Sequence, residues 1–281
     1  MIIAKTSEEF LAWRASLDSS KSIGFVPTMG ALHGGHLSLV DQSIKDCQLS
    51  CVSIFINPRQ FGKGEDLDSY PQDINRDLKL LEEAGVDIVF VPNMDDMYSK
   101  DDSLLMSETS LSLLLEGKSR PQFFTGVLTI VSKLFNLIRP TSAYFGMKDV
   151  QQLIVIQKMV RDMKYPINII PCETVREHNG LAMSSRNEYL NREQRDSAKV
   201  LYLSLLYAKE LIDSGEPNPL AIKGAIEKML LSIPELQIDY ISIADKNTLL
   251  EIETNITRKN VTLISLAVFL GGVRLIDNIV I

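Results

Sequence analysis

Between Ile23 and Val40 the chain passes from a short apolar run, through a glycine-rich turn, into helical spacing, and this stretch constrains the fold more than any other. Ile23 to Val26 reads as a strand buried on both faces, as in a parallel sheet. Pro27 cannot donate to a ladder and is expected to end that strand. From His36 onward, Leu37, Leu39, Val40 and Ile44 keep an apolar face at helical spacing. Gly30, Gly34 and Gly35 lie between, together with His33 and His36. Such a loop lets an anion approach the backbone, and the helix start beyond it offers unpaired N–H groups and a positive dipole end. Strand, loop and helix are therefore expected to form a phosphate site. The chain has three histidines, and two of them stand on this turn. A helix N-terminus favours the neutral imidazole, which can still donate an N–H to a phosphate oxygen.

The totals narrow the classes. A length of 281 residues suggests about two domains. With 45% hydrophobic and 23% charged residues the composition is that of a globular protein. A net charge of -7 argues against a dedicated nucleic-acid binder. The start, Met1 to Glu9, lacks the apolar region of a signal peptide, and Val261 to Val273 is too short to span a bilayer. Cys47, Cys51 and Cys172 have neither metal nor disulfide spacing and read as buried thiols. The expected compartment is the cytoplasm, with neither a nucleic acid nor a membrane as partner.

Along the chain, Thr6 to Leu17 reads as an amphipathic helix with Glu9 in a capping position. Leu49 to Ile56 is a second buried strand, ending in the loop Asn57 to Gly62. A helix over Ile74 to Ala84 precedes a strand at Asp87 to Val91, and Met94 to Asp102 reads as an acidic loop. A long apolar helix covers Val127 to Ile138 and stops at Arg139-Pro140. Ala143 to Phe145 and Ile167 to Ile170 are strands, separated by the loop Gly146 to Asp149 and a helix to about Met163. Alternation of this kind gives an α/β fold, a doubly wound Rossmann-like parallel sheet. Beyond Pro171 come a polar loop (Arg176 to Asn187), helices over Gln194 to Ser214 and Leu220 to Leu231, and mostly antiparallel strands at Gln237 to Ile243, Val261 to Phe269 and Val273 to Ile281. The expected division is 1–174 as the Rossmann-like, ligand-binding domain and 175–281 as a smaller C-terminal α+β lid domain.

The turn His33-Gly34-Gly35-His36 is neither the G-x-G-x-x-G pattern nor a P-loop. It resembles the His-x-Gly-His signature of adenylyl-transferring enzymes, including class I aminoacyl-tRNA synthetases. Taken singly the other polar runs say little: Lys148-Asp149 suits a solvated turn, Gln151-Gln152 a helix surface, Ser184-Ser185-Arg186 a helix start and Asn57-Pro58 a turn. In combination four runs, Pro27 to His36, Phe55 to Gly62, Phe145 to Leu153 and Met183 to Asn187, resemble the pantoate–β-alanine ligase family in order and separation over nearly the whole chain.

That resemblance implies a two-step reaction. ATP and pantoate give a pantoyl adenylate and pyrophosphate, and the amine of β-alanine then displaces AMP. It implies catalytic roles for His36, as the proton donor, and for His33, Lys148 and Arg186. By the same matching, ATP is bound by Met29, Gly30, Ala31, Leu32, His33, Gly34, Gly35, His36, Gly146, Met147, Lys148, Asp149, Val175, Met183, Ser184, Ser185 and Arg186. Gln60 and Gln152 match the pantoate-binding glutamines, and Gln60 also faces β-alanine. Neutral amides suit such a ligand, because they donate and accept without fixing a charge. Mg²⁺ is expected on the phosphates, held largely by phosphate oxygens and water, with no protein ligand assigned. A homodimer through the sheet domain is implied as well, helped by the apolar run Leu111 to Leu115. The chain departs from the family pattern at Gly34 and Met147, where glutamate is usual, at Arg59, where an apolar residue is usual, and at Phe123, where histidine is usual. Two other readings remain: an adenylyltransferase acting on a phosphate or loading an amino acid, and a non-catalytic nucleotide sensor.

Overall fold

The computed structural model describes residues 1–257 and 261–281. Two compact units divide the chain. The first comprises Met1–Thr109, Arg120–Met147 and Gln152–Glu173, and the second Ser110–Ser119, Lys148–Gln151 and Thr174–Ile281.

In chain order the elements begin with β1 (Ile2–Ala4), α1 (Ser7–Ser16), β2 (Ile23–Thr28), α2 (Gly34–Asp46), β3 (Leu49–Ile54), α3 (Ile74–Glu83), β4 (Ile88–Phe90) and α4 (Met94–Met97). They continue with α5 (Glu116–Ser119), α6 (Phe123–Ile138), β5 (Ser142–Gly146), α7 (Val150–Asp162), β6 (Asn168–Cys172) and α8 (Arg192–Ser197). The last are α9 (Val200–Asp213), α10 (Pro219–Leu230), β7 (Leu236–Asp245), β8 (Thr262–Leu270) and β9 (Val273–Val280).

In the first unit six strands pair in the order β1-β4-β3-β2-β5-β6, all parallel. From β2 the chain winds one way through β3 to β4 and, after crossing back, the other way through β5 to β6. The sheet is the doubly wound one expected, and its switch point lies between β2 and β5, where open α/β sheets take ligands at their carboxyl ends. Val26, Val52, Val89 and Tyr144 from the strands pack against Leu39 and Val40 of α2 and Leu81 of α3, each of these at most 9% exposed.

Several boundaries differ from the expected ones for physical reasons. Pro27 lies within β2 rather than ending it, in register with Ser53. The carbonyl of Thr28 accepts from Phe55 N–H on the β3 side, so the neighbouring Pro27 turns its backbone toward β5. Pairing there ends at Phe25 with Ala143, so the missing N–H costs no ladder bond. Pro171 likewise sits inside β6, an edge strand, with Phe145 as its partner. The apolar helix α6 begins at Phe123, four residues before its strongly apolar part, and Arg139 closes it in a left-handed conformation (φ 50°). The helix expected over Gln194 to Ser214 is two helices, α8 and α9. Between them Lys199 N–H bonds back to Asp196 and Leu201 N–H to Ala198, three-residue spans that interrupt the α-helical ladder.

The second unit is the α+β part. β7, β8 and β9 form an antiparallel sheet, with a bulge between Ile238 and Tyr240. One face packs on α9 and α10 through Leu201, Leu205, Ile222, Ile226, Leu266 and Val268, all fully or nearly fully buried. Two short segments distant in sequence join this unit. The Arg274 guanidinium of β9 donates to both oxygens of buried Glu116, at 2.5 and 2.9 Å, and to Asp239 at 2.6 Å. Gln151, 6% exposed, accepts from Glu116 N–H and donates to the carbonyls of Leu111 and Leu114.

Candidate active site

The loop that follows β2 is built as a rigid lead-in to α2. The Thr28 hydroxyl donates to the Ser53 carbonyl at 2.8 Å and accepts from Gly30 N–H at 3.2 Å. Gly30 (φ 85°) and Ala31 (φ 50°) then take left-handed conformations in succession. For alanine that conformation is strained, and it persists where the surroundings fix it. Asp77 of α3 fixes it here: its two carboxylate oxygens accept from Ala31 N–H and Leu32 N–H, each at 2.8 Å. Asp77 is 1% exposed, and burial pushes its carboxyl above the usual carboxylate range, against the pull of the two N–H donors.

Both histidines cap the helix that the loop delivers. His33 is the N-cap of α2, and its Nδ1 accepts from Gly35 N–H at 3.1 Å. His36 Nδ1 reaches back to accept from His33 N–H at 3.4 Å. The two rings lie 4.1 Å apart at 33°. An imidazole nitrogen that accepts carries no proton, so each neutral ring holds its proton on Nε2 and offers an N–H there. No acidic residue occupies the first turn of α2, which keeps its positive end uncompensated. Gly34 falls at the first helical position, where the reciprocal histidine caps close the turn.

At the carboxyl end of β3, the single turn Pro58–Gln60 carries Gln60 to the same loop. Its Nε2 donates to Met29 Sδ at 2.9 Å and its Oε1 accepts from Asn57 Nδ2 at 3.1 Å. Arg120 fastens the backbone of this turn: it forks onto Glu65 at 2.7 and 2.6 Å and donates to the Gln60 carbonyl at 3.2 Å. Phe123 lies 3.9 Å from the Arg120 guanidinium, so the residue standing where the family usually has histidine covers this clamp. Gly146 ends β5 on the other side of the switch point, Met147 opens the single turn that follows, and Gln152 is half-buried early in α7.

The remaining matched residues belong to the second unit. The Lys148 ammonium is 3.7 Å from Asp149, and its backbone carbonyl accepts from Asn278 Nδ2 at 2.8 Å. Next to Asn278, buried Asp277 forks onto Arg176 at 2.7 and 3.0 Å; burial raises the Asp277 carboxyl while Arg176 opposes. Arg176 bridges to Ala182, and Met183 N–H donates to the Val175 carbonyl, so a small hairpin presents Met183 to Arg186. Ser184 caps the turn Ser185–Tyr189 by accepting from Arg186 N–H at 3.3 Å, and Asn187 ties it to Ala182 and Glu177.

Thus the first unit brings Met29 to His36 and Gln60 together, and the second holds Lys148, Asp149, Val175 and Met183 to Arg186. Sequence reasoning missed Asp77, Asn57, Asp277 and Asn278 as supports. Asp77 did leave a signal, because it sits on the stripe of α3 set by Ile74, Leu78 and Leu81, where a carboxylate is out of place unless it has donors.

The profile of the pantoate–β-alanine ligase family matches residues 2–280. Pantothenate synthetase of Thermosipho africanus is 49% identical over 280 residues, covering 100% of this chain and 99% of that relative. The pantothenate synthetase of Caldicellulosiruptor bescii is 51% identical, covering 93% of this chain and 92% of the relative. A crystal structure of pantothenate synthetase from Thermus thermophilus aligns with a TM-score of 0.93 at 42% identity, covering 99% of each chain. A pantoate–β-alanine ligase from Francisella tularensis, solved with an ATP ligand and β-alanine, aligns with a TM-score of 0.83 at 34% identity, covering 100% of this chain and 97% of that one. With its parallel sheet, its histidine-capped loop and these likenesses along its whole length, the chain belongs to the pantoate–β-alanine ligase family.

Proposed function

We propose that the chain joins pantoate to β-alanine at the expense of ATP, through a pantoyl adenylate. The carrying observation is the pair of histidines at the start of α2, each with Nδ1 engaged and its N–H on Nε2. In the first step a pantoate carboxylate oxygen bonds to the α-phosphorus and pyrophosphate leaves. Negative charge grows on the phosphate oxygens, and fixed donors stabilise it. His36 supplies such a donor, with His33, Lys148, Arg186, the Ser184 and Ser185 hydroxyls and the loop N–H groups beside it. In the second step the β-alanine nitrogen bonds to the acyl carbon, the acyl–phosphate bond breaks, AMP leaves and the nitrogen gives up its proton. Gln60 and Gln152 are assigned to pantoate, and Gln60 also to β-alanine.

Mg²⁺ fits as a companion of ATP rather than a resident of a protein cage. Asp77 of α3, the carboxylate that holds the loop before His33, has both oxygens taken by backbone N–H groups. Among the described residues no group of three or more His, Cys, Asp or Glu assembles around a common point. Phosphate oxygens and water would complete the ion's shell, and the ion would neutralise phosphate charge.

Incubation with pantoate, β-alanine, ATP and Mg²⁺, followed by mass spectrometry, should yield pantothenate and AMP in equal amounts. A folded protein that makes neither would contradict the proposal. Gln60→Ala and Gln152→Ala should each weaken pantoate more than ATP in calorimetry, because a site built for polar groups leaves them unpaired when one is removed. Equal losses for both ligands would refute that assignment.

A homodimer is part of the proposal, supported by family membership and by Leu113, which is 56% exposed in the turn Leu111–Leu113. Sedimentation at micromolar concentration should give twice the chain mass, and a monomer would refute it. The cytoplasm is the proposed compartment, supported by three free thiols at Cys47, Cys51 and Cys172. Among the described residues no helix is long and apolar enough to cross a membrane.

A further inference from the structure

The amide of Asn57 has every hydrogen-bonding valence filled. Its Oδ1 accepts from Arg59 N–H at 3.3 Å and from the Tyr98 hydroxyl at 2.8 Å. Its Nδ2 donates to the Gly126 carbonyl at 3.1 Å and to Gln60 Oε1 at 3.1 Å. Backbone chemistry assigns this orientation, since an N–H only donates and a carbonyl only accepts. The contact with Gly126 depends on a missing side chain, because a Cβ there would lie 2.1 Å from the Arg59 carbonyl oxygen. With Nδ2 facing it, Gln60 must accept through Oε1, and its NH₂ edge is turned away. That edge donates to Met29 Sδ, a weak acceptor that an oxygen of a ligand would outcompete.

Tyr98 stands behind this arrangement. It is 8% exposed and ends α4, with the Arg59 guanidinium 4.0 Å from its ring centre and the Lys133 ammonium at 5.2 Å. Asp102 pairs with both cations, Lys133 first, and they hold its carboxyl below the usual carboxylate range. Burial pushes the Tyr98 phenol up to about 12, against the opposing Arg59, so it stays a donor at neutral pH. Arg59, unusual for the family, thus lies over the outer face of the ring whose hydroxyl reaches Asn57.

We infer that Tyr98 is a positioning residue for Gln60: acting through Asn57, it holds the glutamine NH₂ edge outward, so that Gln60 engages a carboxylate or hydroxyl oxygen of the substrate as a donor only. The inference rests on the assignment of Gln60 to pantoate, and the test separates the two. Pantoate and ATP would be titrated calorimetrically into the wild type, Tyr98→Phe, Gln60→Ala and the double variant. Tyr98→Phe should weaken pantoate roughly three- to tenfold, as for one lost neutral hydrogen bond, and leave ATP unaltered. The double variant should bind pantoate as weakly as Gln60→Ala alone, because both changes act on one group. Additive losses, or unaltered pantoate affinity in Tyr98→Phe beside a weakened Gln60→Ala, would overturn the inference alone. Unaltered pantoate affinity in Gln60→Ala would overturn the Gln60 assignment and the inference with it. A measurement on the wild type serves if Tyr98→Phe does not fold. With glutamine side-chain nitrogens isotope-labelled, the Gln60 NH₂ signals should shift on saturation with pantoate, and unmoved signals would overturn the inference.

Discussion

Replacing His36 by alanine is expected to lower turnover by about 10²- to 10³-fold, the usual effect of losing one fixed donor to transition-state charge. The fold should survive. The cap bond that His36 accepts from His33 N–H is long, 3.4 Å, and losing a cap costs about 1 kcal/mol. The two roles of the imidazole can be separated at its neighbour. His33→Asn keeps an oxygen able to accept from Gly35 N–H, since asparagine is itself a favoured N-cap, yet removes the ring N–H. Turnover should therefore fall in His33→Asn with little change in melting temperature. A purified His36→Ala protein of wild-type turnover would remove His36 from the mechanism.

The second large effect is expected at a residue that touches no substrate in this account. Asp77→Ala orphans the N–H groups of Ala31 and Leu32, each a loss of about 1–3 kcal/mol when buried. It also releases the loop that holds Ala31 in its left-handed conformation. The histidines begin one residue later, so a shift there displaces the donors, and misplacement by about 1 Å can cost some 10²-fold in rate. Asp77→Ala should thus lose both melting temperature and turnover. Asp77→Asn, which retains one accepting oxygen, should fall between it and the wild type on both scales. Full turnover in Asp77→Ala would show that the loop holds its shape unaided.

The parts of this fold that were legible in the sequence are those where burial dictates residue type. β2 and β3 are buried on both faces, and their stretches Ile23 to Val26 and Leu49 to Ile56 read as largely apolar, with Ser50 and Ser53 the only polar residues of the second. β8 reads the same way. β1 did not: its three residues include Ile2 and Ile3, both substantially exposed, and it is a strand only because β4 lies beside it. The interruption between α8 and α9 carries no proline or glycine to announce it. The residence of Ser110–Ser119 and Lys148–Gln151 in the second unit arises from bonds such as Arg274 to Glu116, across 158 positions of sequence.

For the site, the loops declared themselves by glycine and histidine on a strand–turn–helix, and the supports did not. Asn57 looked like a turn residue and is one, capping Pro58–Gln60, while its other three bonds fix Gln60 and bind Gly126 and Tyr98. Gln151 and Gln152 looked alike as neighbours on a helix start. The structure separates them: Gln151 is consumed by the backbone of 111–116, and Gln152 stays half-exposed. Phe123 and Arg59 departed from the family pattern without visible reason, and each proves to lie against a partner, Phe123 on Arg120 and Arg59 on Tyr98.

The most direct measurement of the central claim is exchange of labelled pyrophosphate into ATP with β-alanine left out. Activation of pantoate needs the carboxylate, ATP and the donors on the phosphate loop, while the amine is needed only at the acyl carbon afterwards. The first half-reaction should therefore be complete and reversible alone, and exchange should depend on added pantoate. An enzyme loading an amino acid would require that amino acid, one transferring AMP to a phosphate would ignore pantoate, and a sensor would exchange nothing. Pantoate-dependent exchange is the predicted result; no exchange with pantoate, ATP and Mg²⁺, in protein shown to be folded, would contradict the account.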